Sequence, residues 1–354
     1  MTKQSLKSQN ISSSGLSFFE KYLTVWVALC IVIGIAIGRL LPDVTKTLDA
    51  MSIYEVSVPI AICLFFMMYP IMVKIDFTQA RYALRTPKPV ILTLVVNWLI
   101  KPFTMVAFAT FFLGTIFRPL LTGTEILRGA EVALADSYIA GAILLGIAPC
   151  TAMVMMWGYL SYGNQVLTLI MVAVNSLTML LLYAPLGNWL LRASDFIVPW
   201  QTMVLSVSIY VAMPLFTGIY SRYWVIKNKG KEWFEQKFLK ALSPVATIAL
   251  LTTLIILFAF KGEVIVKNPL HILLIAVPLF IQTIFIFTIS YVAALKLGMD
   301  YEDSAPAAMI GASNHFEVAL ILLISGQWIS TGNRANTPPA SKLWIPLAAI
   351  PPLP

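Results

Sequence analysis

GIAPCTAM, residues 146–153, decides how the chain is read. It sets Gly146, Pro149 and Cys150 inside an apolar stretch long enough to cross a membrane. A proline breaks a helix. A backbone group freed in lipid costs several kcal/mol. The stretch is therefore an interrupted membrane helix, and the interruption must serve some purpose.

The rest of the chain has the same character. Of its 354 residues 59% are hydrophobic and only 11% charged, against about 25% charged in a soluble domain. An integral membrane protein follows. The net charge of +8 does not imply nucleic acid, because the Lys and Arg residues flank apolar runs, where they act as topology signals. Cys30, Cys63 and Cys150 are far apart within apolar runs, which suggests neither a disulfide framework nor a zinc site. Residues 1–21 form a polar tail that runs into the first apolar segment. With no small-residue cleavage site after it, that segment is expected to be a retained helix rather than a signal peptide.

A span needs about 20 mostly apolar residues. That ruler predicts spans near 22–41, 54–73, 89–113, 138–160, 165–191, 200–224, 243–260, 269–297 and 304–325. The longest basic connection is expected at 225–242 and divides the chain near its middle. With the N-terminus inside, fourteen Lys and Arg residues fall in inside segments and nine in outside segments. This excess favours a cytoplasmic N-terminus.

An internal repeat is visible. The first span ends GIAIGRLLP (34–42) and the sixth PLFTGIYSRYW (214–224). The fourth carries GIAPCTAM and the ninth GASNHFEVAL (311–320). Each pair lies five spans apart, and an odd number of spans per repeat inverts the second copy. Matching interruptions in two inverted halves are a sequence pointer to a transporter's binding site. Small residues alone let helices pack closely, but that explains neither Pro149 nor an Asn-His-Phe-Glu run inside a span.

Glu317 is the sharpest polar residue. It follows Ser313, Asn314 and His315 and precedes VALILLIS. Intramembrane acids are costly when unpaired and functional by default, so Glu317 reads as a proton carrier or substrate ligand, with Lys101 or Arg128 as its charge partner in the structural alternative. A buried cysteine is usually a small hydrophobe, and Cys30 and Cys63 read that way. Cys150 differs, because it follows a helix break. If a second half-helix starts there, its positive end makes thiolate more available for a soft, thiol-seeking species. Asn97 and Asn175 suit hydrogen bonds between helices, Met153, Met155 and Met156 suit apolar packing, and His271 a structural place at a span end. No phosphate-binding loop, nucleophile elbow or zinc-binding HExxH motif is present, so no enzyme is supported.

Three stretches carry a family resemblance. YIAGAILLGIAPCTAMVMMWGYLSYGN (138–164) resembles the signature of the arsenite efflux permeases of the arsenical resistance family, within the bile/arsenite/riboflavin transporter superfamily. NWLIKPF (97–103) and GASNHFEVAL resemble its other recognisable stretches. The resemblance runs from about residue 20 to 326. It implies an all-α polytopic membrane protein with two inverted five-helix repeats, 22–191 and 192–326. The fourth and ninth helices would be unwound and cross near the midplane. It implies export of arsenite, and in some members antimonite, in exchange for protons, across the plasma membrane and without a cofactor. Cys150 and Glu317 stand where the family's essential cysteine and glutamate stand. Cys150, Pro149, Glu317, Asn314, Ser313 and Asn97 are the expected substrate and transport residues.

The chain departs from the family after Gly326. Residues 327–342 are polar, and 343–354 are Pro-punctuated and too short to span. A missing or degenerate tenth helix, and with it an inactive permease, is one expectation. The same fold carrying organic anions with sodium is another; it needs sodium and not Cys150. A channel or membrane sensor is the reading from a different class.

Overall fold

The computed structural model describes residues 23–41, 43, 45, 47–48, 51–53, 56–75, 87–127, 130–149, 152–193, 204–205 and 207–314. Within them the apolar runs become helices: α1 (Leu23–Leu40), α2 (Val58–Lys74) and α3 (Pro87–Ile116). The fourth run is split into α4 (Leu134–Ile147) and α5 (Ala152–Leu160), and α6 is Gln165–Ala193. The second half holds α7 (Met213–Lys229), α8 (Leu239–Lys267), α9 (Pro269–Lys296) and α10 (Tyr301–Ala312). The first five and the eighth match the predicted spans to within about four residues, whereas α7 starts later than the predicted 200–224 span and ends beyond it, α8 is longer than the predicted 243–260, and α10 ends at Ala312, short of the predicted 325. Four helical stretches are long and apolar enough to cross a membrane: Pro87–Ile116, Gln165–Arg192, Lys231–Phe260 and Pro269–Lys296. Leu181, Phe280 and Leu273 are among the apolar side chains left on the surface, as expected of faces turned to lipid.

Two local features add detail to the all-α architecture. The 225–242 connection is almost entirely helical. α7 runs to Lys229, Gly230 turns with φ +84°, and helix resumes at Lys231 through a π turn at Phe234–Phe238. Gly suits that left-handed backbone because it has no Cβ. Two short antiparallel hairpins lie in connections between the helices. β1 (Ser52–Ile53) pairs with β2 (Val56–Ser57), and β3 (Thr124–Leu127) with β4 (Ala130–Ala133).

The helices pack in two groups. α1, α2, α7 and α8 form one, with α1 and α2 on α8 and α7 on α2. Glycines set the closest approaches. A Cβ on Gly38 would lie 2.3 Å from the Ala259 carbonyl oxygen, and one on Gly34 2.7 Å from that of Ile255. On Gly218 it would lie 2.9 Å from Met72 Cβ. Small residues that let backbones approach are how helices associate where lipid is the solvent. The second group is α3, α4, α5, α6, α9 and α10. Its core includes Met105, Ile143, Ile147 and Tyr183, and continues through Val96, Met171, Ile286 and Ile310.

Candidate functional site

The centre of the second group is built on α3. Its α-helix gives way to a π turn over Val96–Ile100, directly before Lys101-Pro102. Proline is the cause. Lys101 gives its N–H to the Val96 carbonyl, and Pro102 has none to give, so the Asn97 carbonyl loses both intrahelical donors. The wider turn carries Asn97 into the core. Asn97 Nδ2 donates to Asn175 Oδ1 of α6 at 2.8 Å. Asn175 Nδ2 in turn reaches the Met171 carbonyl at 2.8 Å and Thr93 Oγ1 at 3.3 Å. Trp98 Nε1 donates to Thr178 Oγ1 at 3.0 Å. Asn97 and Asn175 thus make the bond between helices read from their residue type.

The split in the fourth span and the end of α10 both lie against this part of α3. α4 stops at Ile147, and Ala148 is extended (φ −80°, ψ 119°). Buried Pro149 follows, and α5 is described from Ala152. α10 stops at Ala312, and Ser313 is extended in the same way (φ −74°, ψ 141°). Each break has a glycine just before it. A Cβ on Gly146 would lie 2.3 Å from Met105 Cγ, and one on Gly311 would lie 2.8 Å from Ser290 Oγ and 2.9 Å from Val96 Cγ1. The breaks are therefore seated on one short length of α3, with Lys101 between those two contacts in sequence. α5 and α10 also touch. The turn after α5 is tied to the start of α10, where Asn164 Nδ2 donates to Asp303 Oδ1 at 3.0 Å and the Asn164 N–H to the Glu302 carbonyl at 2.8 Å.

Lys101 is the most unusual residue of the cluster. Its side chain is 0% exposed, and Nζ donates to the Ser313 carbonyl. Its ammonium therefore sits at the carboxyl end of α10, where a helix dipole favours a cation. Its own carbonyl accepts from Gln282 Nε2 of α9 at 3.0 Å and from Thr104 Oγ1 at 2.9 Å. Sequence reasoning missed Gln282; its signal was a single amide within PLFIQTIF. Three amide oxygens here are buried without a hydrogen-bond partner among the described residues: Asn97 Oδ1, Gln282 Oε1 and Asn314 Oδ1. Such acceptors cost about 1–3 kcal/mol each. Each is an acceptor left for a species that donates hydrogen bonds.

Of the expected site residues, the structure brings Asn97, Lys101, Ser313 and Asn314 to this region, with Pro149 in the other break. Cys150, Glu317, His315 and Arg128 lie outside the described residues, as do the N-terminal tail and residues 315–354. His271 shares a hydrogen bond with Tyr138 Oη through Nδ1 at 3.1 Å, in keeping with a structural role.

Comparison with known proteins gives the arrangement its context. The profile of the Sodium Bile acid symporter family matches residues 61–268. An arsenical-resistance protein of Alkaliphilus metalliredigens is 47% identical over 318 residues, covering 90% of this chain and 87% of that protein. An arsenical-resistance protein of Corynebacterium glutamicum is 33% identical over 318 residues, 87% of this chain and 81% of that one. An uncharacterized transporter of Synechocystis sp. is 76% identical over 305 residues, 86% and 80% respectively. With these matches and helices of membrane-spanning length, the chain belongs to the sodium bile acid symporter family and, within it, to the arsenical-resistance proteins: it is a multi-pass integral membrane transporter and not an enzyme.

Proposed function

We propose that the chain exports arsenite from the cytoplasm, with antimonite as a second cargo, in exchange for protons. The observation that carries this reading is the 47% identity with the Alkaliphilus arsenical-resistance protein across 90% of the chain. Arsenite near neutral pH is an uncharged trihydroxide, so membrane voltage does not drive it. Its chemical handle is the affinity of trivalent arsenic for sulfur. Three thiols would hold it too tightly for a carrier, which must also let go. Cys150 supplies one soft ligand. The unpartnered oxygens of Asn97, Gln282 and Asn314 suit its hydroxyl groups, which donate hydrogen bonds. Glu317 takes up a proton and so couples proton entry to release of the cargo, with Lys101 or Arg128 as its charge partner.

In this reading the two halves are inverted repeats of five spans. The pairing of helices supports it: α1 on α8 is echoed by α7 on α2, and α3 on α4 by α9 on α10. The breaks after Ile147 and Ala312, each followed by an extended residue, are the matching interruptions. The N-terminus lies in the cytoplasm and the protein in the plasma membrane, in line with the excess of basic residues on that side.

The test uses everted membrane vesicles from cells expressing the chain. Vesicles with an acid interior should accumulate arsenite, and collapse of the proton gradient should abolish uptake. Cys150→Ser and Glu317→Gln should each reduce it to background. Full uptake in either variant removes that residue from the mechanism, and uptake of an organic anion that needs sodium but not Cys150 replaces arsenite as the cargo.

A further inference from the structure

α7 turns one graded face away from the protein. Phe216, Tyr220, Tyr223, Trp224 and Lys227 recur along it at the three- and four-residue spacing of a single helix face. All five are exposed, Phe216 by 62%, Tyr220 by 69%, Tyr223 by 67% and Trp224 by 53%. Phe216 is wholly apolar, the two tyrosines and the tryptophan are amphipathic, and the lysine is charged. From Phe216 to Lys227 the helix rises about 16 Å, close to the ~15 Å depth of one hydrocarbon leaflet. The face therefore runs from the acyl chains, through the level where Tyr and Trp collect, to the headgroups.

The chain turns at that level. Gly230 takes φ +84°, and a Cβ placed on it would meet nothing within 4 Å. Lys229 and Lys231 flank it on an open corner. From Arg222 to Lys240 there are six basic residues and two acidic ones. Arg222 is engaged by the protein: its Cζ lies 5.0 Å from the centre of the Phe234 ring, and its Nη1 caps the end of α2. That fixes the corner and leaves the lysines to face outward. Lys227 Nζ lies 5.9 Å from the centre of the Tyr223 ring. Lys231 meets Glu235 at 3.8 Å, both well exposed, and such pairs are weak. Lysines clustered directly beyond a membrane helix attract anionic lipid.

We propose that this corner docks an anionic glycerophospholipid, with an acyl chain along Phe216, Tyr220 and Trp224 and the phosphate among Lys227, Lys229 and Lys231. In the orientation proposed above it faces the cytoplasmic leaflet, where anionic lipids make the surface negative. The test below needs neither that orientation nor the cargo, so it stands if either fails.

The experiment follows thermal unfolding of the purified full chain in detergent micelles with added phosphatidylglycerol, with added phosphatidylcholine, or with soluble glycerol phosphate and no lipid. Phosphatidylglycerol should raise the midpoint by several degrees over phosphatidylcholine, as a ligand of the native state does. The increment should shrink as salt is raised, and glycerol phosphate, which has no acyl chain, should give none of it. Replacing the three lysines together, Lys227→Gln, Lys229→Gln and Lys231→Gln, should leave unfolding in phosphatidylcholine unchanged, because all three side chains are exposed. It should weaken the apparent affinity for phosphatidylglycerol by about a hundredfold, at about fivefold per lysine. The corresponding triple change to Arg should keep it. Equal midpoints in the two lipids overturn the proposal, and are what lysines that serve only to orient the chain would give. So does an increment that survives the glutamine changes, or one that glycerol phosphate reproduces, which would make the occupant a soluble anion. If the glutamine variant unfolds early in phosphatidylcholine as well, the wild type decides, because an increment that ignores headgroup charge or salt refutes an anionic-lipid site.

Discussion

At the scale of single residues, the centre of the molecule is a balance of groups that lipid cannot satisfy. Asn97 and Asn175 close one hydrogen bond across 2.8 Å and leave one oxygen over. Truncating Asn97 to Ala removes a bond of the kind that averages about 0.6 kcal/mol between membrane helices, so the melting temperature should fall only slightly. If the spare oxygen serves the cargo, arsenite uptake should weaken more, as a raised KM at similar maximal rate. Gln282→Leu is the sharper case. It keeps volume but removes both the donor to the Lys101 carbonyl and the unpartnered Oε1. We expect correct insertion, seen as a normal gel-filtration profile, with uptake reduced by an order of magnitude or more, the scale of an interaction worth about 1.4 kcal/mol. An amide of this sort is hard to find by reading alone, because one Gln in a 28-residue apolar helix has the same appearance whether it bonds a neighbouring backbone or a substrate. Lys101 was visible as an oddity within NWLIKPF, but its partner Ser313 became visible only when the fold brought α10 onto α3.

At the scale of helices, glycine and proline do the shaping. α1 and α8 approach so closely that any side chain on Gly38 meets the Ala259 carbonyl at 2.3 Å. Gly38→Leu should therefore destabilise by about 1–3 kcal/mol through overpacking, checked by thermal unfolding, whereas Ala at Gly230, which has open space about it but φ +84°, should act through backbone strain alone. Pro102→Ala restores the missing donor and lets the π turn relax toward α-helix. This would rotate Asn97 relative to Lys101, and loss of uptake with undiminished stability is the expected outcome. The helices themselves were legible from run length, because a membrane span must be apolar along its whole length. The helical form of the connection 225–242 was not legible for a related reason. Its lysines mark it as outside the lipid, but charge says nothing against helix, and Lys and Glu are good helix formers. The π turn at Val96–Ile100 was beyond sequence reading, since it depends on which carbonyls Pro102 strands and which neighbours take them up.

For the whole molecule, the two groups of helices have different characters. α1, α2, α7 and α8 are held by glycine contacts and by caps such as Arg222, whose Nη1 donates to the Val73 and Lys74 carbonyls at 3.3 and 3.4 Å. The group around α3 holds the polar cluster and both breaks. A cysteine introduced near residue 5 should be labelled only from the cytoplasmic side if the N-terminus lies inside, and labelling from outside would reverse the orientation. The bond from Lys101 to Ser313 also has a consequence in time. Its partners are 212 residues apart in the chain. At ribosomal speeds of about 5–20 residues per second, the lysine is made about 10–40 s before the carbonyl that will accept its hydrogen bond. For that interval α3 must enter the bilayer with its ammonium waiting, so the early membrane chain is an unfinished object whose survival depends on how quickly the ribosome completes it. Slowed elongation through the second half should therefore lower the yield of the intact transporter, and a lysine-to-methionine change at 101 should relieve that dependence even as it removes the finished contact.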